Sequence, residues 1–231
     1  MHLLPELCTV PSAVHPLSDG SKPAAATTKS GRKRRTRVLD VGAGVGRVTA
    51  DALLHLFDDV VLVEPVEPFI AEAVRRGKAS ASGTPLVLPP SDSPSEDGDA
   101  ASLEVAPWKG IRDRTRSVTF VRATLQDVDP LHPVPVIERV GYDGDGGKEE
   151  ERSGFDVVWC QWCLGALSDA DLVAFFRRAR AALRDPVRGL LVVKENTCSE
   201  TGGPRAVFDE SDSSLTRYAL LLRVVCSRRL T

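Results

Sequence analysis

Arg37-Val38-Leu39-Asp40-Val41-Gly42-Ala43-Gly44-Val45-Gly46-Arg47 decides the fold of this chain. An apolar run closes on an acidic residue and then on three glycines at alternate positions. Glycines there let the chain turn sharply off a strand and let a ligand come close to the backbone. About twenty residues on, a second apolar run, Val60-Val61-Leu62-Val63, ends in Glu64, the spacing at which a doubly wound nucleotide-binding unit offers a carboxylate to ribose hydroxyls. The stretch predicts an adenosine-type ligand.

Outward from that motif the chain alternates strand and helix. Val38 to Val41 reads as a strand, Arg47 to Leu56 as a helix, Val60 to Glu64 as a strand and Pro68 to Arg76 as a helix. Val118 to Arg122, Phe155 to Cys160 and Gly189 to Lys194 are further strands. Asp169 to Leu183 reads as a helix with Leu172, Phe175, Phe176, Ala179 and Leu183 on one face. Alternation of this kind implies parallel pairing through right-handed crossovers. The predicted fold is a five-stranded, Rossmann-like open α/β sheet, mostly parallel, with helices on both faces and ligands at the carboxyl ends of its strands.

Two polar stretches interrupt the pattern, at about 79–104 and 131–154. The first, centred on Pro89-Pro90-Ser91-Asp92-Ser93-Pro94, is expected to be disordered because it buries too little apolar surface to offset its ordering entropy. Residues 1–36 are expected to form a disordered basic arm ending in Gly31-Arg32-Lys33-Arg34-Arg35-Thr36-Arg37. Such a run reads as a solvated lead into the first strand, with a nuclear-import signal or a nucleic-acid patch as the alternatives. The domain proper is expected over 37–217, with an irregular tail at 218–231.

Composition narrows the class. Over 231 residues, 42% hydrophobic with a net charge of -2, the chain reads as one globular domain with tails, and neither nucleic acid nor membrane is expected as a partner. An odd count of five cysteines and the lack of a signal-type apolar core predict reduced thiols and a cytoplasmic protein, with the basic run allowing the nucleus as well. A monomer is expected, and no metal: Cys160-x-x-Cys163 lacks a second ligand pair, and His55 and His132 stand alone.

The ligand can be narrowed. A dinucleotide fingerprint wants glycine where Arg47 stands, which disfavours a nicotinamide-dependent reductase, and no Gly-Lys-Ser/Thr follows for a P-loop. Asp-x-Gly-x-Gly-x-Gly resembles the first motif of class I S-adenosylmethionine-dependent methyltransferases. Four segments together resemble the eukaryotic protein N-terminal methyltransferases, which methylate the α-amine of X-Pro-Lys termini: Leu39 to Thr49, Leu62 to Val66, Trp159 to Leu167, and Val193-Lys194-Glu195-Asn196 with Phe208 to Arg217. The resemblance covers about residues 37–217.

That resemblance implies S-adenosyl-L-methionine as cofactor, contacted by Gly42, Gly44, Arg47, Glu64, Leu125, Gln126 and Gln161. Arg47 would pair with its carboxylate. Trp162, Asn196, Asp209, Asp212 and Ser214 would line the channel for the substrate, a protein N-terminus. Asp212 would be the base, Asn196 would orient the amine, and Asp209 with Asp212 would receive the charge of the third-position Lys.

Two departures from the family pattern carry expectations of their own. Where the family has Gly-His-Leu, with the His a second base or amine-orienting group, this chain reads Gly165-Ala166-Leu167. Alanine neither accepts a proton nor hydrogen-bonds, so turnover is expected to be impaired unless Asp212 suffices. The family's N-terminal lid and its C-terminal helix and antiparallel strands are not legible here, and a truncated or divergent product is expected. The alternative is a relative that binds cofactor or N-terminal peptides without turnover.

Overall fold

The computed structural model describes residues 34–88, 103–144, 154–198 and 206–218. Six strands form the main sheet: β1 (Arg37–Val41), β2 (Asp59–Val63), β5 (Ser117–Val121), β6 (Val136–Gly141), β7 (Val157–Gln161) and β8 (Leu190–Lys194), in spatial order β6-β5-β2-β1-β7-β8. All neighbours pair in parallel except β6, which runs antiparallel to β5. Strand order reverses between β1 and β7, so the crevice at their carboxyl ends is where this architecture receives ligands.

Side-chain alternation explains the continuous apolar strands. On β1, Leu39 and Val41 join a core cluster with Val61, Val63, Val158, Phe175 and Phe176, while Val38 joins another with Val60, Leu62, Leu53, Ile70 and Phe120. Both faces are buried, as in parallel sheets covered on each side. One cover is helix α3 (Asp169–Ala181), capped by the Ser168 hydroxyl, which accepts the Asp171 N–H at 3.1 Å. The other is α2 (Glu67–Ser82) together with a π-helical turn at Thr49–Leu53 that runs into α1 (Leu54–Leu56).

Several expectations are corrected. The sheet has six strands among the described residues, not five, because Val136–Gly141, expected within a polar insertion, is β6. Of its residues only Val140 is buried, packing in the core cluster with Phe120, as suits a strand at the edge of the sheet. Helix α2 runs six residues past Arg76. Gly77 is no stop signal; a Cβ there would lie 2.8 Å from the Phe120 ring, so the glycine lets helix and sheet approach. Gly83, with φ 73°, is the actual C-cap.

Leu86–Leu88 (β3) and Leu103–Val105 (β4) then form an antiparallel pair at the margins of the stretch expected to be disordered. Residues 89–102, its centre, lie outside the described residues, as do 1–33, 145–153, 199–205 and 219–231. Beyond β8, Thr197–Cys198 (β9), Ala206–Asp209 (β10) and Ser214–Tyr218 (β11) build a separate three-stranded sheet of order β10-β11-β9. A β10–β11 antiparallel hairpin is therefore present, but it does not extend the main sheet.

The described end of the basic arm is half-buried and paired rather than free in solvent. Arg35 donates to both oxygens of Asp59, at 2.9 and 2.8 Å, and lies 4.0 Å over the Tyr142 ring. Arg34 and Arg184 both reach Asp156. These pairs fasten the chain at the amino ends of the strands, opposite the ligand crevice.

Candidate active site

The three loop glycines all adopt left-handed backbone, with φ of 62°, 57° and 81° at Gly42, Gly44 and Gly46. Their reasons differ. A Cβ on Gly42 would stand 2.3 Å from the Cβ of Cys163, so this glycine exists to let the tips of β1 and β7 meet. A Cβ on Gly44 would meet nothing within 4 Å; its backbone faces open space, where a ligand can approach.

Glu64, at the end of β2, is buried and turned toward that loop. Its Oε2 accepts the Gly44 N–H at 2.8 Å and its Oε1 accepts the Val66 N–H at 2.9 Å. Each carboxylate oxygen retains a lone pair for a further donor, such as a ribose hydroxyl. Asp40 is completely enclosed, and its Oδ2 accepts the Thr49 hydroxyl at 2.6 Å. Burial pushes its carboxyl up to about 7; the Thr49 bond opposes the shift and the charge of Glu64 adds to it.

Around this centre stand the other residues expected to hold a cofactor. Arg47 is exposed just past the loop. Gln161 closes β7, its amide oxygen accepting the Trp159 indole N–H at 3.3 Å. Leu125 is buried and Gln126 exposed in the turn after β5. The carbonyls of both accept Arg178 from α3, at 2.6 and 2.9 Å, so α3 fixes the height of this turn.

On the far side of Cys163 lies a cavity of about 270 Å³ whose walls include Trp162, Ala166, Glu195, Asn196, Asp212 and Ser214. The structure thus gathers four of the five residues expected in the substrate channel. Asp209 is not on this wall. It sits at the β10–β11 turn, where its Oδ1 accepts both the hydroxyl and the N–H of Ser211, at 2.6 and 2.9 Å, which holds its carboxyl below the usual range. A larger cavity, about 630 Å³ between α2 and Trp108–Asp113, shares no residue with this one and none with the expected site.

Three long-range contacts shape the cavity; Trp162 is expected there from the sequence, whereas Glu195 and Arg217 are not among the expected site residues. Trp162 has φ 54°, unusual for a bulky residue, and its exposed ring faces the Lys194 ammonium at 4.8 Å. Glu195 Oε1 accepts the N–H groups of Cys163 and Leu164 at 2.8 and 3.0 Å. Arg217, buried on β11, donates to Asp169 at 2.9 Å, to the Leu164 carbonyl at 3.0 Å and to the Leu167 carbonyl. Burial, followed by the charges of Glu195 and Asp40, raises the Cys163 pKa well above that of an ordinary thiol, which disfavours the nucleophilic thiolate.

The profile of a family described as AdoMet-dependent proline di-methyltransferase matches residues 22–83 and 148–229, more than half of the chain. The chain belongs to this family. It is 30% identical over 196 residues to alpha N-terminal protein methyltransferase 1 of Oryza sativa, covering 85% of this chain and 47% of the relative. It is 29% identical over 194 residues to N-terminal Xaa-Pro-Lys N-methyltransferase 1 of Homo sapiens, covering 84% and 60%. The chain therefore spans about half the length of the curated relatives it matches.

Among solved structures, a SAM-dependent methyltransferase from Leishmania major superposes with a TM-score of 0.51 at 25% identity, over 89% of this chain and 55% of that one. The [4+2]-cyclase SpnF superposes with a TM-score of 0.50 at 16% identity, over 83% and 50%. The fold is that of the class I methyltransferases. That a cyclase shares it shows that the sheet alone does not specify the reaction.

Proposed function

We propose that the chain is an S-adenosylmethionine-dependent methyltransferase acting on the α-amino group of proteins that begin Xaa-Pro-Lys. One observation carries this reading. Cys163 packs directly on Gly42, so the cavity of Trp162, Asn196, Asp212 and Ser214 abuts the glycine loop at the sheet's switch point.

The residues at the loop suit the cofactor: open space over Gly44 for its backbone approach, and a buried acid beside it for ribose. Gly42, Gly44 and Glu64 would hold it, with Arg47, Leu125, Gln126 and Gln161 around it; bound there, it supplies an electrophilic methyl group on a sulfonium. Trp162 offers a flat face for the substrate's proline, and the carboxylates of the wall favour a cationic N-terminus. Asn196 orients the amine and Asp212 accepts its proton. A free α-amine has a pKa near ~7.7–8.0, so only a modest push makes it nucleophilic.

A second reading, a binder without turnover, is favoured by one observation: Ala166 lines the same cavity and contributes no base. Incubation with methyl-labelled cofactor and a Ser-Pro-Lys peptide separates the two. Label on the peptide's α-nitrogen supports the enzyme; cofactor and peptide binding with no transfer leaves the binder.

A further inference from the structure

The cavity wall carries two carboxylates among the described residues, Glu195 and Asp212, and they are committed differently. Asp212 is exposed in the β10–β11 turn, where its Oδ1 accepts the Ser214 N–H at 2.9 Å. Glu195 follows β8 directly and is half-buried. Its Oε1 is fixed by two N–H donors, from Cys163 and Leu164, and its Oε2 makes no hydrogen bond among the described residues. The Cys163 that it grips is the residue in contact with Gly42, so Glu195 is the acid held nearer the glycine loop.

We propose that Glu195 is a substrate-binding residue that takes the peptide's α-ammonium on its free oxygen, Oε2. This rests on the methyltransferase reading of the same cavity and deepens it. A carboxylate with one oxygen pinned by backbone donors pays little rotamer entropy when the other meets a cation, and a charge-assisted bond in a half-buried wall is strong. Ala166 on that wall offers no polar group, and Asn196 carries no charge. Glu195, held by two backbone donors and half-buried where Asp212 has one and is exposed, is thus the wall's more firmly preorganised anion, and it selects a free N-terminus over a blocked one. Asp212, on the more exposed turn, is left to accept the proton once the nitrogen is placed.

The experiment compares binding of a C-terminally labelled Ser-Pro-Lys peptide and its N-acetylated twin to the full chain, by fluorescence polarisation with S-adenosylhomocysteine present. Wild type is expected to prefer the free amine by about 10- to 100-fold, the range of a hydrogen bond to a charged group. In Glu195→Gln the amide oxygen still accepts from Cys163 and Leu164, while an N–H donor faces the amine, so the preference falls to about one. In Asp212→Asn the preference persists. A free-amine preference retained in Glu195→Gln, or lost in Asp212→Asn, overturns the assignment. Should Glu195→Gln fail to fold, Asp212→Asn decides alone: retention supports the assignment and loss overturns it. Failure of wild type to bind either peptide overturns the functional reading itself, and the assignment with it.

Discussion

The two halves of the proposed site are built in opposite ways. The proposed cofactor half is centred on one contiguous stretch, from Asp40 to Glu64, closed by short bonds such as Glu64 to Gly44 and Thr49 to Asp40, with only Leu125, Gln126 and Gln161 joining it from elsewhere. Its strands are buried on both faces. The substrate half is assembled from three distant segments, after β7, after β8 and around β11. It is held by Glu195 reaching back to Cys163 and by Arg217 reaching back to Leu164, Leu167 and Asp169. One half is fixed by local sequence, the other by a few long-range polar anchors, and the two meet where Cys163 touches Gly42.

That contact is the place to break both halves at once. Gly42→Ala combines left-handed strain with overlap on Cys163, and should cost about 4 kcal/mol in urea unfolding. Arg217→Met strips the buried Leu167 carbonyl of its donor, removes a second donor from the Leu164 carbonyl and breaks the Asp169 pair, and should cost about 3 kcal/mol. It should abolish peptide binding while leaving the affinity for S-adenosylhomocysteine within a factor of about two, since no Arg217 bond touches the loop. Loss of both affinities in a folded Arg217→Met would show that the halves are not separable.

Smaller effects sharpen the contrast. Ala166→His restores a basic side chain to the cavity and should raise kcat on the peptide by about 10²-fold, read in a steady-state transfer assay. The cofactor half, by contrast, should answer to pH. Asp40 titrates at about 7 when folded against 3.8 ordinarily. Between those values the native state keeps a proton that the unfolded chain has lost, so Asp40's contribution falls as pH rises, by at most about 1.4 kcal/mol per unit. Chemical denaturation of Asp40→Asn across that window should show a flatter pH dependence than wild type. Smallest of all, Gly44→Ala carries backbone strain but no clash, about 1 kcal/mol of stability, and should show its effect mainly as weaker cofactor binding in calorimetry.

The same contrast explains what could be read without coordinates. Gly42, Gly44 and Glu64 were legible because a glycine turn and a strand-end acid at fixed spacing are local consequences of one supersecondary unit. The cavity residues Trp162, Asn196, Asp212 and Ser214 were found only through family resemblance; no periodicity connects them. Glu195 and Arg217 were passed over because their partners lie 31 to 53 residues back in the chain, a distance at which spacing carries no information. Strand β6 escapes the sequence for a related reason: Val136–Gly141 lies at an edge, is mostly exposed or half-buried, and follows a proline-rich run. The insertion expected at 79–104 begins inside α2, which runs to Ser82 and carries a glycine at position 77 because helix and Phe120 ring approach closely there.

Calorimetric titration of the folded chain with S-adenosylhomocysteine tests the central claim most directly. A single saturable site, displaced by S-adenosylmethionine and weakened at least about tenfold by Glu64→Ala, is the result expected if the cofactor lies across the tips of β1 and β2. No binding heat from a chain that circular dichroism shows to be folded, or binding indifferent to Glu64, would contradict it.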